Sequence, residues 1–188
     1  MKKALLLLFL SLLCSGSAAA STGAYMGLYT DSEHMYWCVS GVGFYPVEMW
    51  IWCLPGDQGV FCNEFMISYP PNAIQSTVTR NPIISVDLGD LGWGMSVCYT
   101  ACQTDWFWNY HQLLWVTDPS QTQCTIVAHP DVGAVQIANC EPGYPIEPAT
   151  VLTNLYINRP YDDPLCQGVA TDEASWGAIK SLIDSGGE

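Results

Sequence analysis

The 188-residue chain carries 5 basic against 18 acidic residues, a formal net charge of −13, and only 12% of its residues are charged. So acidic a surface repels phosphate backbones and anionic membranes, which excludes nucleic acid as a partner. Low charge beside abundant aromatic and small polar residues suits β-structure better than helix.

Residues 1–20, MKKALLLLFLSLLCSGSAAA, join Lys2 and Lys3 to an apolar stretch over 4–13 and the small residues Ala18 and Ala20. This pattern predicts a secretory signal peptide cleaved before Ser21. The apolar stretch is too short to span a bilayer in its own right. A lipidated cysteine normally follows a small residue, and Leu13 precedes Cys14. The expected location is therefore secreted: extracellular, periplasmic or cell surface, with no membrane span once the leader is removed. The mature chain of 168 residues (188 − 20) is one domain's worth, read as a β-sandwich over 21–168 and a tail over 169–188. Arg80, Arg159 and Lys180 are its only basic residues, so its formal charge is 3 − 18, or −15.

The most informative stretch is 45–69, YPVEMWIWCLPGDQGVFCNEFMISY. Residues 47–54 are almost continuously apolar with Glu48 the only charge, which predicts a buried central strand. The Pro-Gly-Asp-Gln-Gly break over 55–59 cannot continue a strand, and a second strand follows over 60–69. If Cys53 and Cys62 pair, they close a ten-residue loop, worth roughly 2–3 kcal/mol by chain entropy. That reads as a staple across a turn, because the spacing is not the Cys-x-x-Cys of oxidoreductases.

The mature chain holds eight cysteines, Cys38, Cys53, Cys62, Cys98, Cys102, Cys124, Cys140 and Cys166, an even number that allows up to four disulfides after export. In an extended strand Cys98 and Cys102 stand about 13 Å apart, beyond disulfide reach, so each needs a distant partner. Short apolar runs recur at 23–30, 36–44, 73–79, 83–88, 95–99, 112–117, 124–128, 134–138 and 151–157. Pro70-Pro71, Asn81-Pro82, Asp118-Pro119, His129-Pro130 and Glu141-Pro142-Gly143 punctuate them. Nine to eleven short strands between such turns predict an all-β, disulfide-stapled antiparallel sandwich, jelly-roll-like in form, or a barrel. Residues 171–183, TDEASWGAIKSLI, predict a short C-terminal helix capped at Thr171 or Asp172, with Trp176, Ile179, Leu182 and Ile183 on one face.

Catalytic patterns are scarce. The histidines are His34, His111 and His129, without HExxH, GxSxG or a phosphate-cradling glycine loop. Zinc would want a Cys-x-x-Cys that is absent. Asp87 with Asp90 and Asp162 with Asp163 could approach calcium, but neither pair has EF-hand spacing. No cofactor and no metal are expected. The segment 104–111, TDWFWNYH, spaces Trp106 and Trp108 two apart, so an extended chain turns both to one side. With Tyr110 beside them, and Asp105, Asn109 or His111 donating or accepting hydrogen bonds, they could stack sugar rings. The same pair could instead serve a core or a subunit interface.

From about residue 49 to 158 the order of segments resembles cohesin-like β-sandwich domains of secreted bacterial proteins. The resemblance is carried by EFMISYPPN (64–72), VTRNPIISVDLG (78–89), GMSVCYTACQ (94–103), HQLLWVT and the HPDVG turn, with SWGAIKSL (175–182) in the tail. It implies a nine-stranded sandwich and a non-catalytic role. Dockerin recognition carries over to no particular residue, and eight cysteines depart from the cysteine-poor cohesin pattern. The expected function is a secreted, non-catalytic structural or protein-interaction module with a protein or glycan partner at the cell surface. The alternatives are a carbohydrate-binding module on Trp106, Trp108 and Tyr110, and an extracellular hydrolase using His111 or a carboxylate pair. Self-assembly through exposed sheet edges is also open.

Overall fold

Apolar alternation dictates the layering. A computed structural model describes residues 23–167 apart from Val42 and Phe44. Both the leader, 1–20, and the expected helix over 171–183 lie outside the described residues. Among those described there are thirteen strands and no helix. The first sheet is built from β1 (Tyr25–Tyr29), β3 (Pro46–Leu54), β5 (Ala73–Arg80), β8 (Phe107–Val116) and β12 (Thr150–Thr153), in the order β12-β1-β3-β8-β5. The second runs β11-β10-β4-β9-β13-β2, from β2 (Cys38–Val39), β4 (Val60–Ser68), β9 (Thr122–Val127), β10 (Gln136–Ala138), β11 (Ile146–Pro148) and β13 (Leu155–Ile157). To it are added β7 (Gly94–Gln103), which pairs with β4, and β6 (Ile84–Asp90), which pairs with β7. Pairing is antiparallel except at β1–β12 and β13–β2. The two strands beyond the expected count are β11, which no expected run covers, and one gained where the run 151–157 divides into β12 and β13.

The run 47–54 does form a central strand, but with one face outward. Val47, Met49, Ile51 and Cys53 of β3 point into the sandwich at 3% exposure or less, while Pro46 and Glu48 are exposed. Facing them from the second sheet are Phe65 and Ile67 of β4 and Val97 and Tyr99 of β7, all buried. Removal of this surface from water drives the two sheets together. One polar string crosses the core: Asn63 Nδ2 donates to Tyr99 Oη at 2.5 Å, and Tyr99 Oη donates to Asn109 Oδ1 at 2.5 Å.

The break over 55–59 carries the chain from one sheet to the other, not round a hairpin. Gly59, at φ +70°, lies so close to Cys102 Sγ that a Cβ would sit 2.6 Å from it. This corrects the expected Cys53–Cys62 staple: Cys53 faces the core from the first sheet, and Cys62 lies in the second. Instead Cys62 pairs with Cys98 directly opposite on β7. Cys102 pairs with Cys140, and Cys38 with Cys166. Cys98 and Cys102 thus do reach separate, distant partners, as an extended β7 requires. Three disulfides form in place of four, and Cys53 and Cys124 are free, buried thiols. Burial raises the Cys53 thiol far above its ordinary value and pushes Cys124 up to about 12.

Candidate interaction surface

The outer face of the five-stranded sheet is aromatic, and a bulge explains how. Ile51 stands opposite Tyr110 and Trp52 opposite Trp108, so β8 has one more residue there than β3. That extra residue reverses the side to which the chain alternates. Trp108, His111 and Trp115 turn outward, whereas Asn109 and Tyr110 are both buried, at 0% and 2% exposure. On β3 the alternation Glu48, Trp50, Trp52 faces the same way.

Two ring clusters result. In the first, Trp50 stacks on its cross-strand partner His111 at 4.2 Å, and Trp108 meets Trp50 edge-on at 5.4 Å. Trp50 Nε1 donates to Glu48 Oε2 at 3.0 Å, and the same oxygen is 3.5 Å from His111 Nε2. In the second, His34 stacks on Trp106 at 4.4 Å and lies 4.6 Å from Trp52, with Tyr29 edge-on to both His34 and Trp106. His34 adopts a left-handed φ of 50° in a loop shaped by Asp31. The Asp31 carboxylate accepts the backbone N–H groups of Glu33, Met35 and Tyr36. Burial lowers the His34 pKa below its ordinary value, against the opposing pull of Asp31 and Glu33.

The residues expected to form a glycan platform are therefore separated. Trp106 belongs to the His34 cluster and Trp108 to the His111 cluster. Asp105 is exposed and its Oδ1 accepts the Trp106 N–H at 2.7 Å. Tyr110 is a correction: it points inward, because the bulge puts it out of phase with Trp108. Its phenol is held above the ordinary value by burial and by the Asp87 carboxylate. The face instead recruits Glu48, Trp50, Trp52 and His34. The signal was present as Glu48-x-Trp50-x-Trp52, whose polar and amphipathic members share one side of a strand.

Three of the four carboxylates considered for calcium serve the chain itself. Asp87 lies 3.6 Å from Arg80, Asp90 accepts the Gly92 N–H, and Asp163 accepts from Arg159 at 2.9 Å and from the Leu165 N–H. No group of three metal-ligating side chains converges among the described residues.

No family model and no curated protein matches the chain. Solved structures do. A non-cellulosomal cohesin from the archaeon Archaeoglobus fulgidus superposes with a TM-score of 0.52 at 9% identity, over 72% of this chain and 89% of its own. Its fold is cohesin-like. A type II cohesin domain from the Acetivibrio cellulolyticus cellulosome gives 0.52 at 12% identity, over 72% of this chain and 95% of its own. The sixth cohesin of scaffoldin B from Acetivibrio cellulolyticus, solved with a Cel5 dockerin mutant, gives 0.51 at 12% identity, over 74% of this chain and all of its own. At such identities the likeness concerns the cohesin-like architecture alone. On that architecture this chain carries three disulfides among the described residues.

Proposed function

We propose that the protein is an exported, non-catalytic interaction module that docks a protein partner on the outer face of its five-stranded sheet. The observation that carries this reading is the gathering of Trp50, Trp52, Trp106, Trp108 and His111 onto one side, already locked against one another. Tryptophan gives large apolar contact area at small entropic cost and is enriched at the energetic centres of interfaces. Rings fixed in advance lose little further freedom on binding. A protein partner is supported by the like-folded Acetivibrio cohesin, whose structure holds a dockerin. Export is supported by the three disulfides, which form and persist in oxidising compartments.

The test is affinity for a partner purified from the extracellular fraction of the source organism. Trp108→Ala and Trp115→Ala should each weaken binding about tenfold or more. Trp115 is 42% exposed, so its replacement leaves the core intact. Unchanged affinity in both variants, at native melting temperature, would overturn the proposal. Retention on a polysaccharide array that Trp108→Ala abolishes would replace it with a glycan-binding role.

A further inference from the structure

At one end of the aromatic face lies a hollow of about 670 Å³. Its walls include Tyr36, Val39, Pro46, Val47 and Tyr161, and among the described residues Glu48 is the only charged one lining it. Tyr36 and Tyr161 are 59% and 61% exposed, so their rings stand open to whatever enters. The Cys38–Cys166 disulfide holds this end together by tying the segment that carries Tyr161 to β2. Glu48 faces solvent with about half of its side chain, and Oε2 is held by the Trp50 indole. Its other oxygen, Oε1, takes no hydrogen bond among the described residues.

Charge decides what fits. Residues 23–167 contain Arg80 and Arg159 as their only basic side chains, against fourteen carboxylates. Both arginines are already engaged, Arg80 with Asp87 and Arg159 with Asp163. Beside Glu48 the one nitrogen base among the described residues is His111, whose Nε2 faces Oε2 at 3.5 Å, so Oε1 is left for a positive charge that a partner supplies. Aromatic walls with a single carboxylate at the edge suit a side chain having an apolar stem and a cationic head. A guanidinium fits better than an ammonium, because it stacks flat on rings and meets a carboxylate through a planar fork.

We infer that this hollow seats an arginine side chain of the protein partner, with Glu48 receiving the guanidinium and Tyr36 and Tyr161 flanking the stem. The inference rests on the docking face proposed above and names the chemistry that a partner must bring to it.

The experiment follows backbone and indole N–H resonances of the purified protein as capped Gly-Gly-Arg-Gly-Gly is added. The same pentapeptides with lysine or with uncharged citrulline in the centre serve as controls. The arginine peptide should shift the Trp50 indole and the Tyr36 amide saturably, lysine should bind more weakly, and citrulline should produce no saturable shift. Glu48→Gln should weaken the arginine peptide about tenfold, the lower end of a charge-assisted hydrogen bond's contribution. Glutamine can still accept the Trp50 N–H, so the ring cluster survives. Tyr161→Ala, at an exposed position, provides a second variant expected to weaken binding. Absence of shifts, shifts spread evenly over distant acids such as Asp131, or affinity unaltered in both variants would overturn the seat. If the seat fails while Trp115→Ala still weakens the purified partner, the docking face stands without it. If Trp115→Ala and Trp108→Ala also change nothing, the face itself is wrong.

Discussion

Replacing Tyr99 with Phe removes one oxygen from the centre of the core and nothing else. Asn63, Tyr99 and Asn109 are 0%, 1% and 0% exposed, so no water reaches them from the surface. The hydroxyl both accepts from Asn63 Nδ2 and donates to Asn109 Oδ1. Its loss orphans a donor in one sheet and an acceptor in the other. Asn63 Oδ1 and Asn109 Nδ2 already lack partners among the described residues, so neither amide gains by turning over. Each orphaned buried group costs about 1–3 kcal/mol, giving roughly 2–6 kcal/mol in all. No cavity term adds to this, since the ring and its edge-on contact with Phe107 are kept. A loss near 3 kcal/mol lowers the melting temperature of a domain this size by about 6–12 °C. Denaturant unfolding with disulfides intact measures it directly. An apolar triple variant, Asn63→Leu, Tyr99→Phe, Asn109→Leu, should recover much of the loss, because it removes the unmet groups along with their partners. A Tyr99→Phe cost under about 0.5 kcal/mol would refute the accounting.

Two further outcomes follow from buried titratable groups. Protein lacking residues 1–20 should show no thiol reactive to a disulfide reagent at pH 8 when native and two in guanidinium, from Cys53 and Cys124; none after denaturation would mean a fourth disulfide. The folded state holds His34 neutral below the point, about pH 6.5, where an unfolded histidine takes up its proton. The unfolded chain then binds more protons, so stability falls as pH drops through this region. The melting temperature should therefore decline from pH 7.5 to 5.5, and His34→Asn, which tolerates the left-handed backbone, should flatten that slope. An equal slope in the variant would show that His34 does not drive it.

The sandwich was legible because alternation, Pro-Gly punctuation and even cysteine number report local chemistry. The run 47–54 was legible as a central strand, but its continuous apolarity does not tell the inward Met49 and Ile51 from the outward Trp50. Cysteine pairing was not legible, since it depends on which sheet each strand joins: the 55–59 break looks the same whether it turns a hairpin or crosses between sheets. The aromatic face was legible by half. Trp106 and Trp108 stood out, but a β-bulge is a tertiary event, and it alone decided that Tyr110 points inward while Trp108 does not. Glu48 read as a lone charge in a buried strand, when it belongs to an outward set with Trp50 and Trp52.

The disulfides lie outside the five-stranded sheet. Cys62–Cys98 joins strands of the eight-stranded sheet, Cys102–Cys140 ties the end of β7 to the segment after β10, and Cys38–Cys166 closes the edge at β2. The five-stranded sheet carries one cysteine, the free thiol of Cys53. Its order therefore comes from core packing beneath and from ring pairs such as Trp50–His111 above. Its outer strand β5 is exposed along almost its whole length, a template for pairing with another chain. The register shift between Gln75 and Val78 interrupts that edge, and Arg80 charges its end. Both features blunt edge-to-edge association. On the proposed docking, a sheet so protected at its edge and so loaded on its face would meet its partner face-on, with specificity in the side chains of β3 and β8.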